Sequence, residues 1–295
     1  MPNRRLTLAV AAPLAALALP SAAQAAKKPS FYVSLGDSYA SGYQATGAGV
    51  GENTRNGFAY QLVGKARKRG HRLKLVNFGC GGETTTSILE RKTPCGRGSS
   101  PGGPKYDGRT QVAAAERFLR RNRGKVSLIT VSIGGNDVTA CARAADPVAC
   151  VGTAVTGIKE NGGALVKRLR KAAGRKVRIV GITYPDVILG EWVGAQPNRD
   201  LAGLSVVAFR SLINPALKKV YESVRGRFVD VTKATGAYGS LEQMTTLAPY
   251  GEVPVPVAEV CRLTYYCAFR DIHANAQGYG IIAGLIAKTL SRRKG

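Results

Sequence analysis

Phe31-Tyr32-Val33-Ser34-Leu35-Gly36-Asp37-Ser38-Tyr39 is the stretch that decides how this chain of 295 residues is read. Its first five residues make a short apolar run of the kind that fills a buried strand, and Gly36 cuts it off. A serine therefore stands where the chain turns out of a strand and into a helix, with its hydroxyl free to face a cleft. Serine also caps helices routinely. Ser38 becomes a nucleophile candidate only if a base lies within hydrogen-bond reach.

Runs of the same kind recur at residues 73–78, 126–133, 177–183 and 228–231. Helical patterns separate them: Phe58, Leu62, Val63 and Ala66 share one face, as do Val112, Ala115, Phe118 and Leu119, and Leu212, Leu217, Val220 and Tyr221. Five strands alternating with helices predict an α/β fold, with a mostly parallel sheet covered on both sides. In such a sheet the functional groups collect in loops beyond the C-terminal ends of the strands. A last helix is expected at 276–291. Two stretches, 186–200 and 239–260, are expected to be excursions from the sheet, serving as binding loops, lids or, for the second, a surface insertion.

The flanks and composition bound the setting. Arg4 and Arg5 precede an apolar run, 6–19, that closes on Ala23-Gln24-Ala25, the pattern of an export signal. That run is short for a membrane span. The expected division is a signal peptide at 1–25 and one domain at 26–295, hence a secreted protein. Six cysteines form an even set suited to an oxidising compartment. Their short separations favour sequential pairing: Cys80 with Cys95, Cys141 with Cys150, and Cys261 with Cys267. No pair has Cys-x-x-Cys spacing and the chain has two histidines, which disfavours zinc.

The formal charge is +25, and loss of residues 1–25 would remove Arg4 and Arg5 to leave +23. Such a surface attracts anionic partners. With no recognisable nucleic-acid-binding module, an anionic membrane or an acidic cell-envelope polymer is the expected partner for an exported protein, and specific nucleic-acid binding is not expected. A merely solvated basic surface is an equal reading of the charge. Gly47-Ala48-Gly49-Val50-Gly51 lacks the spacing of a dinucleotide fingerprint and reads as a flexible loop near Ser38.

The candidate bases are His71 and His273. His71 ends a helix and is expected to be solvated or to face the helix dipole. His273 lies in Arg270-Asp271-Ile272-His273-Ala274-Asn275 ahead of the last helix, where it can approach Ser38. Two further strand ends offer donors for an oxyanion. Gly79-Cys80-Gly81-Gly82 lets backbone N–H groups approach a ligand, and Gly134-Gly135-Asn136-Asp137 brings a side-chain amide. Turn chemistry explains each alone; their joint appearance at successive strand ends points to acyl transfer.

Gly36-Asp37-Ser38, Gly82, Gly134-Gly135-Asn136-Asp137 and His273 together resemble the ordered sequence blocks of the SGNH (GDSL) hydrolase superfamily, and the export signal and cysteines make the chain most similar to its secreted bacterial lipases and esterases. The resemblance implies a three-layer α/β/α sandwich. It also implies Ser38 as nucleophile, His273 as base, and an oxyanion hole from the N–H groups of Ser38 and Gly82 with the Asn136 amide. No cofactor or metal is called for, and a monomer is expected. One position departs from the family pattern: Arg270 stands three residues before His273, where the family usually has aspartate, and Asp271 stands two before it. The third triad member is then either the Asp271 side chain or a main-chain carbonyl of Arg270 or Asp271, with the short spacing tilting the expectation to the carbonyl.

The expected activity is ester hydrolysis on a lipid-like substrate, with Leu189, Trp192 and residues 253–257 offering apolar room. Alternatives are an O-acetyl esterase acting on carbohydrate, or a non-catalytic envelope-binding protein that uses the basic face.

Overall fold

The computed structural model describes residues 28–92, 95 and 98–291. The expected signal segment at 1–25 lies outside the described residues. The strands are β1 (Ser30–Gly36), β2 (Tyr43–Gly47), β3 (Val50–Asn53), β4 (Leu73–Asn77), β5 (Val126–Ser132), β6 (Arg178–Ile182), β7 (Arg227–Val229), β8 (Met244–Leu247) and β9 (Gly251–Pro254). The helices are α1 (Ser38–Ser41), α2 (Phe58–Arg67), α3 (Ser87–Glu90), α4 (Gln111–Arg121), α5 (Gly135–Thr139), α6 (Pro147–Ala173), α7 (Arg199–Ala208), α8 (Asn214–Glu222), α9 (Val231–Ala234), α10 (Val255–Leu263), α11 (Tyr266–Phe269) and α12 (Ala276–Thr289).

The five runs read as buried strands form one parallel sheet in the order β4-β1-β5-β6-β7. Side chains alternate across it, as the period of two requires. Tyr32 of β1 and Leu128 of β5 meet Phe58 and Leu62 of α2 and Tyr279 and Ile282 of α12 on one face. Val33, Leu35, Ile129 and Val131 meet α4, α6 and α8 on the other, through Val112, Leu119, Ile158, Leu165, Leu217 and Tyr221. Each fully buried side chain of this size contributes roughly 1.5–3 kcal/mol. Because helices cover both faces, the strands read as near-continuous apolar runs. The fold is the expected three-layer α/β/α sandwich.

The order of winding reverses across β1: the chain leaves it for β4 on one side, then crosses to β5 on the other. That makes the gap beyond the C-terminal ends of β1 and β5 a switch point, where ligand sites form in doubly wound sheets. Gly36 fixes the exit from β1. Its φ is 132°, and a Cβ there would lie 1.9 Å from the Ser132 carbonyl oxygen, so the close approach of β1 to β5 excludes any side chain. The buried Gln111 clamps both peptide groups of Gly36, accepting from its N–H (2.7 Å) and donating to its carbonyl (3.0 Å).

Several expectations change. The stretches at 186–200 and 239–260 are ordered: the first holds a 3₁₀ turn (Val187–Trp192) leading into α7, and the second holds the β8–β9 hairpin and α10. Leu189, Val253 and Val257, with Trp192 packed against them, form a small core of their own, so they are consumed in packing rather than lining a cleft. The glycine-rich stretch 47–51 is the tip of the β2–β3 hairpin. His71 is buried rather than solvated, with Nε2 2.6 Å from the Ser291 carbonyl. Leu212, assigned above to a core face, is 43% exposed. It lies in a π-helical turn (Phe209–Ile213) between α7 and α8. Pro215 follows that turn and supplies no N–H to the helical ladder, a local cause for the wider turn.

Candidate active site

Three strand ends converge at the switch point. Asp37 caps α1 by accepting from the Tyr39 N–H (2.9 Å), which fixes Ser38 as the first helical residue. The Ser38 hydroxyl lies 2.7 Å from His273 Nε2, although 235 positions separate the two residues. His273 Nδ1 lies 2.8 Å from Asp271 Oδ1. The structure therefore puts a carboxylate, not a main-chain carbonyl, on Nδ1, against the expectation drawn from the spacing. A local turn explains how two residues suffice. The same Asp271 oxygen accepts from the backbone N–H of His273 (3.0 Å), an Asx-type turn that folds the carboxylate back under the ring. Arg270, at φ 54°, ends α11 in the left-handed region and starts that turn.

The histidine loop is held from several sides. Tyr39, next to the nucleophile, donates its hydroxyl to the Ile272 carbonyl (2.7 Å). The Tyr43 ring packs against the imidazole with centroids 4.4 Å apart. The His273 carbonyl accepts from the Tyr265 N–H (2.9 Å), in the segment clasped by the Cys261–Cys267 disulfide. Burial raises the Asp271 carboxyl, but the hydrogen bonds and charge of His273 outweigh it, and the net pKa falls below the ordinary carboxylate value. Asp271 is thus poised to stay ionised beside an imidazolium.

The oxyanion candidates form a second cluster. Gly82 has φ 77°, and neither its N–H nor that of Ser38 donates to another group among the described residues. Asn136, at the N-terminus of α5, donates from Nδ2 to the Glu83 carbonyl (2.8 Å) and keeps its other amide hydrogen. Asp137 accepts from the Thr85 N–H (3.0 Å) and hydroxyl, so α5 and the Gly82 loop are tied twice. The loop is anchored below by Glu83, buried and paired with Arg91 (2.8 Å), and by the Cys80–Cys95 disulfide.

Sequence reading missed Asp37 and Tyr184. The Asp37 carboxylate is buried and accepts from the Tyr184 hydroxyl (2.6 Å) and the Ser132 hydroxyl (3.3 Å). Burial pushes its pKa up to about 7, with those hydrogen bonds opposing. Its position as an N-cap was the available signal.

Beside Ser38 opens an apolar pocket of about 210 Å³. Its walls come from α5, the 3₁₀ turn Ala140–Arg143, the start of α6, Tyr184, Pro185, Val187 and Ile188 after β6, and α7 with the π-helical turn that follows it. The Cys141–Cys150 disulfide staples the second wall to the third. Of the six large apolar side chains most exposed among the described residues, four, Val148, Leu204, Val207 and Leu212, rim this pocket. Helix α6 was not anticipated, though Asp146 as N-cap and Pro147 in the first turn announce it.

Residues 34–281 match the GDSL-like lipase/acylhydrolase family. No curated protein matches the chain. Among solved structures, phospholipase A1 from Streptomyces albidoflavus is 17% identical with a TM-score of 0.50, covering 89% of this chain and 100% of its own. A lipase from a goat rumen metagenome is 16% identical with a TM-score of 0.51, covering 88% and 96%. The inhibitor-bound aryl esterase of M. smegmatis is 11% identical with a TM-score of 0.50, covering 88% and 97%. At these identities the likeness is one of fold.

Proposed function

The chain belongs to the GDSL-like lipase/acylhydrolase family and is a carboxylic ester hydrolase, and on that premise we propose that it works through an acyl-enzyme on Ser38 and takes esters with an apolar acyl chain. Ser38 Oγ attacks the ester carbonyl while His273 Nε2 takes its proton. Asp271 holds the imidazole in the tautomer that leaves Nε2 free and stabilises the imidazolium. The N–H groups of Ser38 and Gly82 and the Asn136 amide receive the oxyanion. His273 then protonates the departing alcohol and later activates the water that releases the acid.

One observation carries the reading: the line Asp271–His273–Ser38 opens directly into the apolar pocket. An acetyl group would leave most of this pocket unfilled, whereas a chain of several methylenes would bury itself against the apolar walls at ~0.8 kcal/mol per methylene. That favours a lipid-like ester over an O-acetylated carbohydrate. Export fits the same picture, with residues 1–25 removed, 26–295 forming the mature enzyme, and three disulfides suited to an oxidising compartment.

A p-nitrophenyl ester series from acetate to laurate tests this on the parent and Ser38→Ala. The parent is expected to prefer octanoate to acetate at least tenfold in kcat/KM, and Ser38→Ala to lose on the order of 10⁵-fold or more in kcat. A preference for acetate would sink the substrate reading, and an active Ser38→Ala enzyme would sink the mechanism.

A further inference from the structure

At the sheet edge opposite Ser38 lies a second cavity, of about 370 Å³. It forms where the parallel strands begin, at Leu73, Val126, Arg178 and Arg227. The C-terminal ends of α2, α6, α8 and α12 reach the same edge, because crossover helices run back against the strands. Arg170, Arg175, Lys176, Arg178, Arg225 and Arg227 line the cavity, and no carboxylate among the described residues does.

Cations at helix C-termini have a structural use, which accounts for part of this cluster. Arg170 donates to the carbonyls of Val224 (3.0 Å), Gly174 (2.9 Å) and Val177 (2.6 Å), and Arg227 to that of Thr289 (3.0 Å). Four helix ends carry roughly −0.5 each, about −2 together. Arg178 has a partner of its own, and against the other five formal positive charges about +3 remains. Burial, and after it the Arg225 charge, holds Arg170 below its ordinary pKa. Arg225 also keeps a φ of 57°, a left-handed backbone that glycine would adopt without strain. A second arginine cluster, on α4, differs: it is open, and Asp107 and Glu116 pair with its Arg109 and Arg120.

We propose that this cavity binds a linear anion carrying several adjacent phosphate groups, a site separate from the ester-hydrolysing centre. Guanidinium forks match phosphate oxygens bidentately. One phosphate brings about −1.5 to −2, so at least two are needed to balance about +3. A bilayer fits less well, because the cavity lies at the other end of the strands from the apolar pocket mouth.

Titration calorimetry with inorganic tripolyphosphate at about 0.15 M salt tests the site in the exported enzyme. The parent is expected to bind tripolyphosphate at least tenfold more tightly than orthophosphate, and Arg175→Gln/Lys176→Gln to lose at least tenfold. Arg225→Gly should also bind more weakly while melting at the same or a higher temperature, since its backbone strain is relieved; this separates ligand binding from structural support. Both variants should hydrolyse p-nitrophenyl esters at the parent rate, and Arg117→Gln/Arg121→Gln on α4 should bind like the parent. Equal losses in the α4 variant would reduce the effect to overall charge and overturn the proposal. So would absent tripolyphosphate binding by the parent, or binding to phosphatidylglycerol vesicles alone that requires Arg175 and Lys176.

Discussion

The two edges of the sheet are chemical opposites. At the C-terminal edge of the strands, Asp37 and Asp271 gather with aromatic rings, unpaired N–H groups and an apolar pocket. At the N-terminal edge, six cations surround a polar cavity with no carboxylate among the described residues. Chain direction produces the contrast. Parallel strands send their ends and the following helix N-termini, rich in free N–H, to one edge, and the helix C-termini, rich in free carbonyls, to the other. Developing negative charge is stabilised at the first edge and fixed positive charge at the second.

The largest expected break falls on the first edge alone. Asp271→Asn keeps volume and backbone but lets the amide favour the wrong imidazole tautomer, so turnover should fall on the order of 10⁴-fold with an unchanged melting temperature. A loss of only a few-fold would return the orienting role to a main-chain carbonyl. Next, Asn136→Ala removes one proposed oxyanion donor and should cost about 10²–10³ in kcat with KM nearly constant. A KM effect without a kcat effect would make Asn136 a binding group. Neither quantity should respond to Arg175→Gln/Lys176→Gln, and that difference is the comparison itself.

A smaller effect belongs to the pocket rim. Leu204 and Val207 are 50% and 58% exposed, so Leu204→Ser/Val207→Ser removes only partial contacts, at ~0.8 kcal/mol per methylene buried by substrate. The octanoate-over-acetate ratio should drop about tenfold while acetate turnover stays at the parent value. A uniform loss on both esters would point to a disturbed α7 instead.

The smallest effect is on stability and concerns Asp186, which is fully buried beside the pocket wall and accepts from the Ser205 hydroxyl (2.9 Å). Burial raises its pKa from 3.8 to about 7. The folded protein therefore keeps a proton that the unfolded chain releases near pH 4. The associated stability is complete below that pH and disappears as pH rises through about 7, an effect on the order of 2–4 kcal/mol. Asp37 has the same sign. Asp186→Asn should then show a shallower fall in melting temperature between pH 5 and 8 than the parent. An equally steep fall would mean that Asp186 does not titrate in that window.

Much of the site was legible because its parts are punctuated locally. Gly36 ends β1, Gly82 and Gly134 lie in the loops after β4 and β5, and all three have positive φ, so Ser38 and Asn136 were marked by their neighbours. The cysteine pairs close short loops, and each pairs as its separation suggested. An Asx-type turn makes two residues sufficient to bring the Asp271 carboxylate onto His273 Nδ1, where the spacing alone tilted the expectation between carboxylate and carbonyl to the carbonyl. The apolar pocket was assigned to Leu189, Trp192 and 253–257, whereas it belongs to α5, α6 and α7. Nothing in an apolar side chain's local sequence says whether it meets a core or a cleft.

By itself, then, the sequence determined the succession of strands and helices, the residue types offered at each strand end, and the excess of positive charge, since these depend on neighbours a few positions apart. Tertiary structure alone decided that Ser38 meets His273 across 235 positions, that four exposed apolar side chains share one pocket mouth, and that six cations from α6 and the segments after α6 and α8 surround one cavity. Contacts at such separations depend on how helices pack across the sheet, and a charge balance exists only when contributions from distant segments are summed in space.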